Sequence, residues 1–469
     1  MRLRSLSLIV VLTACASPAP HPDVKTTPVA PVTQAPPPPV AENTTPAPES
    51  SASASASAAV TPAPAQPAVP AAVYANFDDW KQNFIEKARA RGFDPAFVTQ
   101  VLDGVQPLPG VTASDSQQPE FSKPVSSYIR QAVSPTRSAA ARTALDANTN
   151  VNEIVTAYGV PQCVLGGVWS MESDLGRVQG NIDVVSALAT LAYNGRRRVW
   201  AEDQLIATLT ILRDHGIPRE TLKGSWAGAM GQTQFEPDNY LALGVDGDHD
   251  GKVDIWHSDS DALASTANFL AKSGWEPGEE WAVEVILPAG FDYYLAETSK
   301  LKPAGWQALG LRRADGGYFT PAEMDEDATL ILPSGAKGPA FLVLPNHYVI
   351  RKYNNSTAYA LAVGLIADGI CGKPGVVTPW PVEQGLSLEQ RTKSQQALKA
   401  AGFDPGAVDG VIGVGTRTAI RNWQKANGEP ADGYLSVELA NRFVALVNAA
   451  TPPVVPSAPA AEPVPSAPV

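Results

Sequence analysis

The proline- and alanine-rich stretches at both ends of this chain confine any compact fold to its middle. Residues 16–72 consist mainly of Pro, Ala, Ser, Thr and Val, and most of residues 448–469 repeat that composition. Neither stretch has an apolar face at helical or strand spacing, so neither buries enough surface to offset the entropy of folding. We therefore predict disorder for both, with the first as an extended spacer, and look for structure between them.

Residues 1–15 have the pattern of a bacterial export signal. Arg2 and Arg4 precede an apolar run that is too short to cross a bilayer. The sequence Leu12-Thr13-Ala14-Cys15 resembles a lipobox, in which the cysteine is acylated and begins the mature protein. Because Ala16 follows, the resemblance implies a periplasmic protein anchored through Cys15 to the outer membrane of a Gram-negative bacterium. An ordinary secretory signal with an incidental cysteine is the alternative.

The chain carries a net charge of −12. An acidic protein is repelled by the phosphates of nucleic acids, so we do not expect a nucleic-acid partner. An uncharged sugar polymer is compatible with this charge, because hydrogen bonds and contacts with aromatic rings would bind it.

Two cysteines, Cys163 and Cys371, lie within the part expected to fold. An exported compartment permits a disulfide between them, but a sequence does not show whether their Cα atoms approach closely enough. We expect two buried free thiols, with the disulfide as the alternative.

Apolar residues at helical spacing dominate the middle of the chain. They predict helices at Phe77–Ala88, Cys163–Trp169, Asp183–Leu191, Leu205–Leu212, Asp261–Leu270 and Ser356–Ala367. Residues 281–344 mix short alternating runs with Gly and Pro, which predicts small strands and loops. We predict a mainly α fold with a small β part over residues 73–372, a Gly- and Pro-rich linker over 373–386 and a compact second unit over 387–447.

A single glutamate, Glu172, ends one of the apolar helices. It follows Val168 and Trp169 at helical spacing, so its side chain is expected to emerge from a buried face. An apolar site raises the pKa of a carboxyl group, and cleavage of a glycosidic bond needs such an acid at neutral pH. Considered alone, however, the pattern favours a solvated glutamate at a helix end.

Residues 224–235 combine glycines with amides. Gly228 and Gly231 permit a close approach of the backbone to a ligand, and Gln232 and Gln234 offer groups suited to hydroxyl and acetamido partners. Flat faces for sugar rings are offered by Trp226, Phe235 and Tyr240. A glycine-containing turn beside core aromatics is the alternative.

An acidic loop follows at residues 246–254. Asp246, Asp248, Asp250 and the backbone carbonyl of Lys252 occur at alternating positions, a spacing that wraps a hard cation in oxygen ligands as in an EF-hand. His257 stands where such a loop usually has its closing glutamate. We predict a structural calcium site, with a solvated Asp- and Gly-rich turn as the alternative.

These three motifs, in this order, resemble the catalytic domain of lytic transglycosylases of the membrane-bound murein transglycosylase B family. The resemblance implies a lysozyme-like α+β domain that cleaves the β-1,4 bond between MurNAc and GlcNAc in peptidoglycan. Glu172 would be the sole acid and base, because the substrate's own N-acetyl group assists. The MurNAc C6 hydroxyl would then attack C1 and give a 1,6-anhydro end without consuming water.

The resemblance also implies further site residues. We expect substrate contacts from Ser225, Gln232, Gln234, Tyr240, Arg196, Arg197, Tyr353, Asn354 and Tyr359. Arg196 and Arg197 would lie near the peptide stem of the substrate, with a solvated basic face as the alternative. Asn354 would hold the N-acetyl group or orient Glu172. Asp261 would close the cation loop, and Asp254 would ligate or support it. Glu236 departs from the family pattern and adds negative charge near the cleft.

The second unit resembles the three-helix peptidoglycan-binding type 1 domain. The segments that carry the resemblance are Ser394–Lys399, Gly402–Pro405, Val408–Gly413, Thr416–Gln424 and Ala431–Ser436. Core positions are expected at Leu398, Ile420, Trp423 and Leu439. The loop 409–413 and Thr416 are expected to contact the wall.

The features together favour a lipid-anchored, periplasmic lytic transglycosylase for cell-wall remodelling or turnover. Its partners would be peptidoglycan strands and the membrane, with proteins of cell-wall synthesis or division as further candidates, and catalysis would need no cofactor beside the structural calcium. A muramidase-type hydrolase and a catalytically silent wall-binding scaffold are the alternatives, although the intact Glu172 argues against the scaffold.

Overall fold

The computed structural model describes residues 74–116, 123–195 and 197–450. Within these ranges the chain is mainly helical with a small β part, which confirms the predicted fold class. The predicted signal with Cys15, the spacer over 16–72, Arg196 and the predicted tail from Thr451 lie outside the described residues. None of the described helices is long and apolar enough to cross a membrane.

The N-terminal part of the described chain folds into helices α1 to α9. Their bounds are α1 Phe77–Ala90, α2 Pro95–Val101, α3 Pro109–Ser116, α4 Val125–Ala132, α5 Pro135–Ala147, α6 Val151–Tyr158, α7 Gln162–Ser173, α8 Val184–Asn194 and α9 Arg198–Asp214. The apolar positions that predict α1 are buried, with Trp80 and Phe84 fully enclosed. Two short strands, β1 (Ile182–Asp183) and β2 (Lys223–Gly224), pair antiparallel beside α8.

The chain then alternates helices with a small sheet. The helices are α10 Pro237–Leu243, α11 Asp259–Lys272, α12 Pro303–Ala308, α13 Pro321–Asp325, α14 Pro345–Tyr353 and α15 Thr357–Ile370. The strands are β3 Ala282–Ile286, β4 Lys300–Leu301, β5 Arg312–Arg313, β6 Ala328–Ile331 and β7 Ala340–Val343. They form a five-stranded antiparallel sheet in the order β4-β6-β7-β3-β5. Its apolar core is built around the fully buried Trp306 and Leu342.

Two larger apolar cores support the helices. The first surrounds α7 and α15, and the second surrounds α1, α8 and α9. Phe269 and Tyr353 contact both cores, so they lie at the seam between them. Each core buries many aliphatic and aromatic side chains, which stabilise the fold at about 25 cal/mol for each Å² of apolar surface removed from water.

Helices α7 and α15 pack closely along their length. Gly167 permits this approach, since a Cβ atom there would lie 2.7 Å from the carbonyl oxygen of Val363. Cys163 at the start of α7 forms a disulfide with Cys371 at the end of α15, with Cα atoms 5.7 Å apart. The expectation of two free thiols is therefore wrong. The antiparallel pairing of two helices far apart in sequence brings the cysteines together, and no local pattern shows that pairing.

The C-terminal unit contains three helices, α16 Leu388–Ala400, α17 Val414–Ala426 and α18 Val437–Ala450. The last helix continues past the predicted boundary at Val447. The core of the C-terminal unit contains the four predicted residues Leu398, Ile420, Trp423 and Leu439, all of them buried. Thr416 differs from its prediction as a wall contact, because it is buried and its hydroxyl donates to the carbonyl of Pro405 (2.9 Å).

Candidate active site

Helix α7 ends at Ser173, directly after the predicted acid Glu172. Asp174, Leu175 and Gly176 all adopt positive φ angles, of 51°, 61° and 78°. Two successive non-glycine residues in this region are strained, and such strain persists at functional sites where the surrounding structure holds it. The carboxylate of Asp174 pairs with Arg177 (2.9 Å), which lowers the pKa of Asp174. The carboxylate of Asp174 is therefore engaged with Arg177.

Glu172 lies in the last turn of α7 and is partly buried. Desolvation raises the pKa of its carboxyl to about 7, and a hydrogen bond from the Tyr359 hydroxyl limits that rise. Burial and the adjacent carboxylate raise the pKa of Tyr359, so its phenol stays protonated and donates to Oε1 of Glu172. The pair therefore holds a carboxyl group that is both a proton donor and a proton acceptor near neutral pH.

The disulfide and the close helix pairing fix this geometry. Glu172 ends α7 and Tyr359 lies in the first turn of α15, while Cys163 and Cys371 join the opposite ends of the same two helices. A short side-chain hydrogen bond between two helices requires that they do not slide past each other. The disulfide and the contact at Gly167 oppose such sliding.

Residues 224–235 form a tight double turn. Met230 makes a β-bridge with Gly224 and another with Phe235. A Cβ atom at Gly224 would collide with the carbonyl oxygen of Ala229, so only glycine fits there. The hydroxyl of Ser225 accepts from the backbone N–H groups of Ala227 (3.3 Å) and Ala229 (3.2 Å). Ser225 thus shapes the loop from within while staying partly accessible.

Gln232 has a different place from the predicted one. It is buried, its Oε1 accepts from the indole N–H of Trp169 (2.7 Å), and its Nε2 donates to Asp259 (2.9 Å). Both ends of the amide are thus engaged, and Gln232 links Trp169 of the Glu172 helix to Asp259, while its contact with a substrate stays a prediction.

Gln234 is partly exposed and has a positive φ of 50°. Its Nε2 donates to the backbone carbonyls of Gln179 and Gly231, each at 2.9 Å. Gln179 in turn donates to the carbonyl of Trp256 (2.9 Å). Gln179 links three loops of the site, and the sequence has no motif that would have singled it out.

The two tyrosines Tyr240 and Tyr353, both predicted to contact the substrate, have different surroundings. Tyr240 is buried and its hydroxyl donates to the carbonyl of Val253 (2.8 Å), so the structure does not support the predicted substrate contact. Tyr353 donates to the carbonyl of Thr233 (2.7 Å) and packs on Phe235. Tyr353 therefore ties α14 to the glycine-rich loop beside Glu172, and desolvation followed by the charge of Glu172 raises its pKa.

Asn354 and Arg197 are the remaining predicted contacts within the described residues. Asn354 is exposed just beyond α14, and Tyr359 rather than Asn354 makes the hydrogen bond to Glu172. The guanidinium of Arg197 stacks on Trp200, 3.6 Å from the ring centroid. Glu236, which departs from the family pattern, is partly buried. Desolvation raises its pKa to about 7, and the charge of Arg197 opposes that rise.

The acidic loop brings together part of the predicted ligand set. Carboxylate oxygens of Asp246, Asp248 and Asp261 lie within 4.8 Å of one another. Asp261 is buried and accepts from the backbone N–H groups of Gly247 (2.8 Å) and Asp254 (2.6 Å), so it ties the two ends of the loop together.

The other acidic residues of the loop have structural contacts. Asp250 lies outside the cluster of three and accepts from the N–H of Lys252 (2.9 Å). Asp254 accepts from the N–H groups of Trp256 and His257, each at 3.0 Å, which places it in a supporting position. The three clustered carboxylates are hard oxygen donors of the kind that Ca²⁺ prefers.

Comparisons with known proteins agree with this geometry. The profile of the transglycosylase SLT domain matches residues 76–368, and that of a peptidoglycan binding domain matches residues 387–442. The membrane-bound lytic murein transglycosylase B of Escherichia coli (strain K12) is 34% identical over 227 residues, which cover 47% of this chain and 60% of that protein. The matched region thus spans less than two thirds of this curated relative.

Two solved structures are similar over a larger share of their length. SltB3 from Pseudomonas aeruginosa, in complex with NAG-anhNAM-pentapeptide, is 47% identical with a TM-score of 0.75, over 79% of this chain and 99% of that chain. The Escherichia coli lytic transglycosylase Slt35, in complex with calcium, is 30% identical with a TM-score of 0.54, over 62% of this chain and 92% of that chain.

Proposed function

This chain belongs to the transglycosylase SLT domain family, and we propose that it is a lytic transglycosylase that cleaves the glycan strands of peptidoglycan. The observation that carries the proposal is Glu172, a desolvated carboxyl group whose pKa is raised to about 7 and which accepts a hydrogen bond from Tyr359. The anhydro sugar bound to the similar SltB3 and the matched peptidoglycan binding domain support the choice of substrate and reaction.

The raised pKa suits Glu172 to both halves of such a reaction. Near pH 7 a large fraction of the carboxyl is protonated, so it can give its proton to the glycosidic oxygen as the C1–O bond breaks. The oxygen of the substrate's N-acetyl group bonds to C1 in place of a protein nucleophile. The MurNAc C6 hydroxyl then attacks C1, the N-acetyl oxygen leaves, and the Glu172 carboxylate takes the hydroxyl proton. The acid is restored and no water is consumed.

Tyr359 would serve this cycle as a positioning residue. Its hydroxyl stabilises the carboxylate form that exists between the two proton transfers, because a hydrogen bond to a charged acceptor is stronger than one to a neutral acceptor. Gln234 and Ser225, on the partly exposed rim of the glycine-rich loop, are the proposed contacts for the acetamido and hydroxyl groups of the sugar.

We also propose that the acidic loop binds a structural Ca²⁺. Asp246, Asp248 and Asp261 would hold the ion, and its charge would relieve the mutual repulsion of the three carboxylates. The ion would keep the loop that leads into α11 in place, and α11 carries Phe269 at the seam of the two cores. The ion would take no part in the reaction.

For the N-terminus we propose acylation of Cys15 and a periplasmic, outer-membrane location. The basis is the sequence Leu12-Thr13-Ala14-Cys15-Ala16 alone. Mass spectrometry of the N-terminal peptide from the native host would detect the lipid. A Cys15→Ser variant should appear in the soluble periplasmic fraction, and an unmodified N-terminal peptide in the wild type would contradict the proposal.

The reaction is tested by digestion of purified peptidoglycan followed by mass spectrometry of the released muropeptides. We expect products lighter by one water than hydrolytic products, and no products from the Glu172→Gln variant. Reducing-end products would identify a hydrolase. Binding without release of any product by the wild type would identify a wall-binding scaffold.

A further inference from the structure

The turn that follows Glu172 packs against a side chain from a distant segment. A Cβ atom at Gly176 would lie 2.5 Å from Oε1 of Gln232, so glycine is the residue that lets the turn approach this closely. Asp174 and Leu175, which precede it, have positive φ angles of 51° and 61°. The strained end of α7 therefore lies directly against the amide of Gln232.

The same amide oxygen also holds the helix itself. Oε1 of Gln232 accepts from the indole N–H of Trp169 (2.7 Å), and Trp169 lies one helical turn before Glu172. The backbone carbonyl of Trp169 accepts from the N–H of Asp174 and from the N–H of Leu175 (3.2 Å). Trp169 thus joins the end of α7, through its carbonyl, to Gln232, through its indole.

The other end of the amide is held by the start of α11. Nε2 of Gln232 donates to the carboxylate of Asp259 (2.9 Å), the first residue of that helix. The backbone N–H of Gln232 donates to the carbonyl of Ile255 (2.8 Å). Because an indole N–H only donates and a carboxylate only accepts, one orientation of the amide satisfies both partners. An ionised glutamate at position 232 would lose the bond to Asp259 and repel it.

This polar chain costs more to bury than an apolar one. Gln232 and Trp169 are each 3% exposed, and polar groups are buried without a large penalty only when they are hydrogen-bonded. Two apolar side chains of the same shape could fill the space at no loss of stability. A fully bonded network adds a single fixed arrangement. Cys163 and Gly167 hold the start and the middle of α7 against α15, whereas Gln232 acts on the last turn, which carries Glu172.

We propose that Gln232 is a positioning residue of the reaction, which holds Glu172 in place through Trp169. Asp259 supports Gln232 from the other side. The inference rests on the proposed function. Without the amide, the last turn of α7 would be free to shift, and the bond from Tyr359 to Glu172 depends on the position of that turn. A direct contact of Gln232 with the substrate is the competing role, and the two roles change different kinetic constants.

The test measures kcat and KM on solubilised peptidoglycan for Trp169→Phe and Gln232→Met, at one fixed calcium concentration. Each variant keeps an apolar side chain in place and loses the bond between the indole and the amide. We expect kcat to fall about tenfold in both, with KM unchanged, which corresponds to about 1.4 kcal/mol. The double variant should be no slower than the slower single variant, because both substitutions remove the same bond.

An exchange of the two polar partners provides a rescue. Gln232→Glu places a second carboxylate beside Asp259, so its kcat should fall about tenfold or more. Asp259→Asn supplies an N–H donor at that position. The double variant Gln232→Glu/Asp259→Asn should therefore regain most of the wild-type kcat, and a double variant as slow as Gln232→Glu would contradict the support from Asp259.

Trp306→Phe is the matched control for a purely structural role. The indole N–H of Trp306 donates to the carbonyl of Ala328 (3.0 Å) within the core of the small sheet. This variant should have a lower unfolding midpoint and the wild-type kcat. If Trp169→Phe and Gln232→Met behave in the same way, their bond supports the core alone. If Gln232→Met raises KM at an unchanged kcat and Trp169→Phe has no effect, Gln232 is a substrate contact. Either result overturns the inference.

The pKa of Glu172 gives a readout that needs no activity. It can be followed through the ¹³C signal of the carboxyl carbon, which Glu172→Gln identifies by its loss. The hydrogen bond from Tyr359 lowers this pKa, so Trp169→Phe and Gln232→Met should raise it. Neither should raise it further in a protein that already carries Tyr359→Phe.

This readout separates the inference from the proposed function. If the wild type releases no anhydro ends but the pKa of Glu172 rises in both variants, the proposed function fails and the inference stands. If the wild type releases anhydro ends and neither kcat nor the pKa of Glu172 changes in the variants, the inference fails alone.

Discussion

Replacing Glu172 by glutamine should stabilise the protein in a pH-dependent way. Glutamine has nearly the shape of glutamate and keeps an oxygen that accepts the hydrogen bond from Tyr359, but it carries no charge to desolvate. Burial raises the pKa of the Glu172 carboxyl from 4.5 to about 7 in the folded protein. In the unfolded chain the same carboxyl is hydrated and returns to its ordinary pKa.

The sign and size of the effect follow from these two pKa values. Below pH 4.5 the carboxyl is protonated in both states, and its burial has no charge-related cost. Between pH 4.5 and about 7 the folded state holds a proton that the unfolded state releases, so the wild type loses stability as the pH rises. The loss is complete above about pH 7 and amounts to about 3 kcal/mol, at about 1.4 kcal/mol for each pH unit between the two pKa values.

The assay is the unfolding midpoint of the wild type and Glu172→Gln from pH 4 to pH 9. We expect equal midpoints at the acid end and a midpoint higher by about 5–10 °C for the variant at the alkaline end. Glu220→Gln, at an exposed glutamate, is the matched control and should show no such divergence. Equal midpoints at pH 9, or a less stable Glu172→Gln, would refute the burial of an uncompensated carboxylate at this position.

Three further predictions concern the groups that hold the site. Tyr359→Phe removes the hydrogen bond that lowers the pKa of Glu172. The alkaline limit of the pH profile of kcat/KM should therefore move up by about one to two pH units. An unchanged limit would show that Tyr359 does not act on the pKa of Glu172. The double variant Cys163→Ala/Cys371→Ala should lose about 2–5 kcal/mol of unfolding free energy and become insensitive to reductant, and an unchanged unfolding midpoint would contradict a bridge between α7 and α15. Calcium at a hundred times its Kd should stabilise the wild type by about 2.7 kcal/mol. Asp248→Asn should abolish that gain while Asp250→Asn retains most of it, and a chelator without effect on the wild type would exclude the site.

Local patterns predict much of this molecule. The spacing of apolar residues places α1, α7 and α15, and the mixed pattern of residues 281–344 indicates the small sheet that the structure contains. An apolar helix that ends in a lone carboxyl indicates Glu172 as a candidate acid. Only the family resemblance favours an acid over a solvated glutamate, because both have the same local pattern.

The contacts that no local pattern predicts join distant segments of the chain. Tyr359 reaches Glu172, and Cys163 reaches Cys371, only because α7 and α15 pair antiparallel. Gln232 and Tyr240 have residue types suited to sugar binding, but neighbours from other segments bury them and use their polar atoms. Asp250 follows the alternation of the acidic loop, yet its carboxylate accepts from the N–H of Lys252 and lies outside the cluster of three.

The central claim is that Glu172 drives an intramolecular attack by the C6 hydroxyl and that water takes no part. Digestion of peptidoglycan in water enriched in ¹⁸O, followed by mass spectrometry of the new glycan ends, tests it most directly. The account predicts anhydro ends that contain no ¹⁸O. Ends that carry one ¹⁸O atom at C1 would show that water is the nucleophile and would contradict the account.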